Sequence, residues 1–223
     1  METNMKIRQK GFTLVEIAIV LVIIGLLLGG ILKGQEMITQ AKIKNVIADF
    51  SGISAAYYGY QDRYRAIPGD DVNANSRWGA TAGNGNGAVE GQYNNGGAPC
   101  AAAVESCSWW DHLRRAGFVG GTGVTQPLNA VVGIMGVQTG MAGGGGTALG
   151  VGGVGGFSGL IMCSANLPDK IAIAVDSQMD DGLSNTGGVR AQLQTAANPD
   201  IVDTATSPYQ ETGTNTYVIC RQI

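Results

Sequence analysis

An apolar run over residues 12–32 constrains this 223-residue chain more than any other feature. Only Thr13 and Glu16 are strongly polar within its 21 residues, and no polar face is present over 17–32. A buried helix of a soluble domain would normally carry such a face. At about 1.5 Å per residue the run rises roughly 30 Å, enough to cross a hydrocarbon core. It predicts a membrane-spanning helix over 12–34.

The flanking charges predict an orientation. Lys6, Arg8 and Lys10 precede the run, against Glu2 alone. This asymmetry favours an N-terminus in the cytoplasm and a remainder outside it. Hydropathy alone is compatible with a signal peptide or a plain membrane anchor. However, no A-x-A pattern follows the run, which favours a retained anchor.

Glu16 needs a separate explanation. A carboxylate at the centre of a membrane helix costs about 2.5–3.5 kcal/mol on insertion scales, and such residues tend to be functional and paired. A cut between Gly11 and Phe12 would place a new α-amino group four residues before Glu16. The sequence therefore predicts a processed chain whose amine serves as the partner of this carboxylate.

Residues 11–16, Gly-Phe-Thr-Leu-Val-Glu, resemble the prepilin signature of type IV pilins and type II secretion pseudopilins. The resemblance implies that an aspartyl prepilin peptidase cuts after Gly11 and N-methylates Phe12. It further implies that Glu16 meets the amine of a neighbouring subunit during filament assembly. It covers about the first 50 residues and predicts how the protein is handled rather than what its head does.

Four segments follow from these patterns. They are a leader over 1–11, a transmembrane and filament-core helix over 12–34, an amphipathic continuation over 35–66 and a globular head over 67–223. The continuation is predicted because apolar residues recur at helical spacing. These residues are Ile43, Val46, Ile47, Phe50, Ile53 and Tyr57. Pro68 is expected to stop the helix.

The head reads as short strands joined by glycine-rich loops. Strands are predicted over 130–137, 158–163, 171–175 and 217–220, a short helix over 108–118 with Gly117 at its C-terminal end, and a long loop over 79–99. Residues 140–156 are glycine-rich and of low complexity. The expected fold class is α+β, in which the second half of the long helix packs on an antiparallel sheet.

All four cysteines follow the apolar run, which suggests two disulfides in an oxidising compartment. Three pairings are possible, and four free thiols are the alternative. We favour Cys100–Cys107, which closes a small loop, and Cys163–Cys220, which ties the C-terminus to an internal segment. The family resemblance supports the second pair, because pilin-like proteins often staple their C-terminal region this way.

Several other functions are disfavoured. Without residues 1–11 the chain carries 11 basic and 16 acidic residues, so no nucleic-acid partner is expected. Residues 150–155 match G-x-G-x-x-G but lack the strand and helix that a dinucleotide site requires. His112 reads as a structural histidine rather than a ligand or base, and Trp109 and Trp110 as packing residues rather than a sugar platform. We expect no enzyme activity and no certain cofactor.

An acidic turn at 176–182 contains Asp176, Asp180 and Asp181 beside a glycine. Three carboxylates in one turn could supply the oxygen ligands that calcium prefers. The spacing is not that of an EF-hand loop, although the resemblance adds that major pseudopilins bind calcium in a C-terminal loop. A solvated turn is the other interpretation.

The predicted function is that of a structural pilin or pseudopilin subunit, assembled through its N-terminal helix. Its expected partners are the prepilin peptidase, other pilin subunits, the inner membrane and an assembly platform. The protein would sit in the bacterial inner membrane with its head in the periplasm, and afterwards in a pilus or pseudopilus. A minor pilin whose head is an adhesin or a DNA- or surface-binding module is the alternative, and an anchored periplasmic enzyme is a weaker third class.

Overall fold

A computed structural model describes residues 11, 13–141, 147–150, 155–203 and 208–223. Residues 1–10 of the leader predicted over 1–11, and Phe12, lie outside the described residues. The same holds for much of the glycine-rich stretch 140–156, including most of the G-x-G-x-x-G match. The described chain divides into two compact units, one ending at Ala41 and the other spanning Lys42–Ile223.

Helix α1 spans Leu14–Tyr64. In the first unit its apolar side chains are exposed, for example Leu14 at 86% and Leu26 at 74%. The helix is long and apolar enough to cross a membrane. Within the part of the chain that the structure describes, the run of Leu, Ile and Val therefore forms a helix with exposed apolar side chains, which is the pattern of a segment that lipid or other helices cover.

The part of α1 in the second unit has one buried face. Ile43, Val46, Phe50, Tyr57 and Tyr60 are at most 6% exposed. Their spacing of three, four or seven residues places them along one side of the helix. This confirms the amphipathic pattern of the sequence. The helix ends at Tyr64, Arg65 follows in the left-handed region with φ 54°, and Pro68 stands beyond it.

A four-stranded antiparallel sheet forms the centre of the head. Its strands are β1 Met135–Thr139, β2 Leu160–Pro168, β3 Val189–Leu193 and β4 Thr216–Gln222, in the order β1-β2-β4-β3. Both faces are buried. Met162 and Ile219 belong to a large core that includes α1, whereas Ile161 and Val218 belong to a second core closed by loop residues. The α+β prediction is confirmed.

The other helices are α2 Ala74–Trp78, α3 Glu105–Arg115 and α4 Asp169–Met179, and a 3₁₀ turn lies at Asn95–Gly97. The predicted helix at 108–118 is α3, which starts three residues earlier. It ends in a Schellman motif, because Gly117 has φ 81° and the N–H groups of Gly117 and Phe118 donate to the carbonyls of Arg114 and Leu113.

The strand predicted over 171–175 is wrong, because these residues form the middle of α4. Ile171, Ala172, Val175 and Asp176 are buried, which is a helical pattern of burial. A five-residue apolar run fits a strand and a buried helix equally well. Here the segment forms a helix that packs one face against the large core. Strand β3 was not predicted, although Val189, Ala191 and Leu193 alternate with polar residues as in a half-buried strand.

The strand predicted over 130–137 begins only at Met135. Asn129 holds the preceding residues in a tight turn: its side-chain oxygen accepts hydrogen bonds from the N–H groups of Val131 and Gly133. Its side-chain nitrogen donates to the Ser164 hydroxyl and the Ala165 carbonyl. The strand predicted over 158–163 begins at Leu160 as β2 and extends to Pro168, and the strand predicted over 217–220 lies within β4.

Candidate functional site

Glu16 takes part in a reciprocal hydrogen-bonded cap at the start of α1. Its Oε2 accepts hydrogen bonds from the backbone N–H of Thr13 at 2.7 Å and from the Thr13 hydroxyl at 2.8 Å. The Thr13 oxygen Oγ1 accepts one from the Glu16 N–H at 3.2 Å. The Thr13 carbonyl accepts from the N–H of Ile17. This arrangement is a capping box, in which two otherwise unpaired helix donors are satisfied.

The capping role of Thr13 was missed in the sequence, although T-x-x-E before an apolar run is its known signal. It supplies part of the answer to why a carboxylate is tolerated here. The Glu16 carboxylate compensates the backbone N–H of Thr13, and the Thr13 hydroxyl in turn compensates the N–H of Glu16. Of the two residues at the predicted cleavage junction, only Gly11 is among the described residues, and it is exposed.

The cysteines pair as Cys100–Cys107 and Cys163–Cys220. Cys163 and Cys220 stand opposite each other on the neighbouring strands β2 and β4, and both are fully buried. The second bridge therefore fastens the C-terminal strand to the central strand on the loop-covered face of the sheet. The first bridge closes the loop that leads into α3.

His112 is a fully buried part of the head. Its Nδ1 accepts a hydrogen bond from the Gly69 N–H at 2.9 Å, and its Nε2 lies 2.8 Å from the Thr81 carbonyl oxygen. Burial lowers its pKa. Both ring nitrogens are committed to backbone groups, so His112 ties two loops together and does not face a substrate. Trp109 and Trp110 are likewise fully buried, as expected for packing residues.

Two carboxylates hold residues 84–90, which belong to the long loop that precedes α3. Asp70 accepts hydrogen bonds from the N–H groups of Gly85, Asn86 and Gly87. Glu105 accepts from the N–H groups of Asn84 and Glu90 at 3.0 and 2.9 Å. These five backbone N–H groups are thus satisfied although the loop lacks regular structure, which gives it a defined conformation.

The acidic turn brings its three carboxylates together, with one potential ligand oxygen from each of Asp176, Asp180 and Asp181 within 4.8 Å of the others. One metal ion could contact all three. Each carboxylate also accepts hydrogen bonds from the chain itself. The donors are the Tyr209 hydroxyl and Gly182 N–H for Asp176, the Gly188 and Val189 N–H groups for Asp180, and the Leu183 N–H and Thr186 hydroxyl for Asp181.

Comparison with known proteins gives two matches. Residues 6–32 match the family described as the prokaryotic N-terminal methylation motif. The chain is also similar to the type IV narrow pilus major component PilA5 of Thermus thermophilus. The two are 40% identical over 78 residues, which are 34% of this chain and 67% of that protein. No solved structure matches the chain.

The matched motif coincides with the start of the apolar helix and includes Glu16 and its cap. The sheet head with its long N-terminal helix is the α+β arrangement expected of a pilin. The similarity to a pilus component extends over two thirds of that relative. The chain belongs to the family of type IV pilins and pseudopilins.

Proposed function

We propose that the protein is a structural subunit of a type IV pilus or a type II secretion-like filament. The observation that supports this most directly is the N-terminal methylation motif on a helix whose apolar side chains are exposed among the described residues. It would be anchored in the inner membrane, with its head in the periplasm, before it enters the filament. We infer no enzyme activity.

Processing would divide the chain at its N-terminus. A prepilin peptidase would cut between Gly11 and Phe12 and methylate Phe12, which leaves the filament-core helix over 12–34, the amphipathic continuation over 35–66 and the head over 67–223. An assembly platform would then draw the processed subunit out of the membrane.

Cohesion of the filament would come from the apolar side chains of α1. From Leu14 to Leu32 most of the Leu, Ile and Val side chains are about half exposed or more. Burial of such surface contributes about 25 cal/mol per Å² of apolar area removed from water. In the membrane lipid covers these side chains, so packing between helices must compete with lipid contacts rather than with water.

Glu16 would orient each incoming subunit. After cleavage the methylated amine of one subunit carries a positive charge, and a carboxylate in an apolar setting attracts it more strongly than it would in water. The capping box adds a requirement: Glu16 must exchange or share its hydrogen bonds with Thr13 when the amine arrives. The carboxylate has two oxygens, and the structure uses only Oε2 for Thr13.

Two Glu16 variants of the full-length protein separate charge pairing from capping. Glu16→Ala loses both functions, whereas Glu16→Gln keeps an oxygen that can cap Thr13 but loses the charge. We expect both to insert and to be cleaved, because the Gly11–Phe12 junction is intact, and both to be depleted from sheared filaments. The measurement is fractionation into unprocessed, processed-membrane and filament pools, with intact-mass spectrometry of the processed chain.

The mass should correspond to a chain that begins at methylated Phe12. A chain that begins at Met1, or that is cut beyond Leu32, contradicts the proposed function. Wild-type filament yield for Glu16→Gln with loss for Glu16→Ala would show that capping alone matters. Wild-type yield for both variants would remove Glu16 from the assembly mechanism.

A further inference from the structure

Arginine and aromatic side chains form a partly exposed patch where α1, α2 and α3 meet in the head. We call Arg63, Tyr64, Arg77, Trp78 and Arg115 the arginine–aromatic patch. The Arg77 guanidinium lies 4.6 Å from the Tyr64 ring centre and 4.9 Å from that of Trp78. Arg63 lies 5.4 Å from the Tyr64 ring, and Arg115 donates to the Trp78 carbonyl at 2.9 Å. These contacts fix the five side chains as one surface.

The patch is positively charged although the head is not. Residues 42–223 contain 10 Lys and Arg against 14 Asp and Glu. Within the patch Asp71 pairs with Arg77, and Asp111 pairs with Arg115 at 2.6 Å. No carboxylate pairs with exposed Arg63 among the described residues. Arg63 therefore gives the arginine–aromatic patch one unpaired positive charge, because neighbouring carboxylates neutralise Arg77 and Arg115.

The composition of the patch is that of a protein-binding surface. Arg, Tyr and Trp are the residues most enriched where truncation weakens a protein interface. Tyr64 and Trp78 pack edge to face at 5.1 Å, which makes the patch rigid before any partner binds. Arg77 lies over both rings, so a nucleotide base would have to displace it in order to stack there. These features favour a protein partner with a carboxylate.

A complementary surface is present elsewhere on the same head. In the acidic turn Asp180 and Asp181 are exposed. Leu183, two residues after Asp181, is 54% exposed. The Leu183 N–H donates to the Asp181 carboxylate at 2.9 Å, so the apolar tip is held beside the charge. The acidic turn, with its exposed carboxylates and Leu183, is therefore complementary in charge and in apolar character to the arginine–aromatic patch.

We propose that the arginine–aromatic patch of one subunit binds the acidic turn and Leu183 of a second copy of this chain. The proposal rests on the proposed function, because it assigns a contact between heads in the filament. The two surfaces differ, so the contact is heterologous and propagates along a helical assembly instead of closing a dimer. Electrostatic complementarity would guide the orientation of the heads, and the leucine would add apolar contact with the rings.

Cysteine crosslinking in assembled full-length protein tests the contact directly. A chain with both Arg63→Cys and Leu183→Cys is expected to form a ladder of covalent oligomers in sheared filaments on mild oxidation. Mixed filaments of the two single variants are expected to give dimers and no ladder. Lys170→Cys with Leu183→Cys is the matched control and should give no ladder, because Lys170 is exposed but lies outside the patch.

A charge exchange gives a second readout. Arg63→Glu is expected to lower the filament yield about tenfold, and adding Leu183→Lys should restore most of it. Lys170→Glu changes the net charge equally and should leave the yield unchanged. Both test positions are exposed, so a folding defect is not expected to imitate the result.

The outcomes separate this contact from the proposed function. Absence of wild-type protein from filaments overturns both. Filaments that form normally without a ladder, and with no loss for Arg63→Glu, overturn the contact alone. If Arg63→Glu instead abolishes binding of single-stranded DNA by intact filaments at unchanged yield, the patch is a nucleic-acid site and the proposed contact is wrong.

Discussion

His112 accepts a hydrogen bond at Nδ1 from the backbone N–H of Gly69 while its imidazole is fully buried. The other ring nitrogen lies against the Thr81 carbonyl, which requires a proton on Nε2. Only the neutral imidazole satisfies both contacts. A second proton would leave two N–H donors facing one donor and one acceptor, in a site closed to water.

The head should therefore lose stability in mild acid through His112. Burial lowers the folded-state pKa below the ordinary value of 6.5, so the unfolded state binds the proton more readily. The contribution is complete above pH 6.5 and is lost as the pH falls below it, by at most about 1.4 kcal/mol per pH unit. Denaturant unfolding of the full-length protein in detergent across this range would measure it.

The comparison must be made against His112→Gln, which does not titrate. Asp176 acts in the opposite direction, because burial raises its pKa to about 6 and the folded state then binds the proton more readily. The difference between the wild type and His112→Gln isolates the histidine. Equal pH dependence of the two proteins would contradict this prediction.

Gly136→Ala should destabilise the head severely. A Cβ atom at Gly136 would collide with the backbone carbonyl of Tyr93, which cannot move away as a flexible side chain could. Overpacking of this kind costs about 1–3 kcal/mol and sometimes more. Gly120→Ala is the matched control, because a Cβ atom there meets nothing within 4 Å. Similar unfolding midpoints for the two variants would show that the loop against β1 yields easily.

The two disulfides should contribute unequally. Cys163–Cys220 spans 57 residues and Cys100–Cys107 spans 7, so in the chain-entropy account the longer bridge stabilises by about 2 kcal/mol more. Paired Cys→Ser variants of each bridge, compared by unfolding in detergent, would measure the difference. Equal losses, or a greater loss from the shorter bridge, would mean that local strain or burial outweighs loop closure.

The acidic turn is expected to keep its structure without calcium. Each of its three carboxylates already accepts hydrogen bonds from the chain, so the turn does not depend on an ion for compensation. Unfolding midpoints in millimolar calcium and in chelator should agree. A midpoint that rises with calcium, and that Asp180→Asn makes insensitive, would establish binding at this turn.

The sequence was most informative where one physical requirement dominated. The uninterrupted apolar run and the helical spacing of Ile43, Val46 and Phe50 each allow few structures, and the helix that they predict is present as α1. The strand at 171–175 was predicted wrongly because five apolar residues suit either a buried helix or a strand. β3 was missed although its apolar and polar residues alternate, which is a strand signal. The sequence could not reveal that Arg190 donates to the distant carbonyls of Leu149 and Gly155.

The candidate sites also divide into those that the sequence predicts and those that it does not. Glu16 could be found from its unfavourable chemistry, and its cap from the T-x-x-E spacing. The arginine–aromatic patch could not be found, because its members come from three helices and the net charge of the head is negative. Overall charge is a sum over the chain, whereas a contact surface depends on which residues the fold brings together.

The buried face of α1 means that the head is not a module attached to a helix. Ile43, Val46, Phe50, Tyr57 and Tyr60 belong to the same core as the sheet. A head exchanged between two such proteins would have to bring residues 42–64 with it, and a soluble fragment would have to begin no later than Lys42. Residues 42–64 thus couple the sequence of the helix to that of the head. The apolar residues before them can be substituted to suit the packing of the filament, whereas these five can be substituted only together with the head residues they contact.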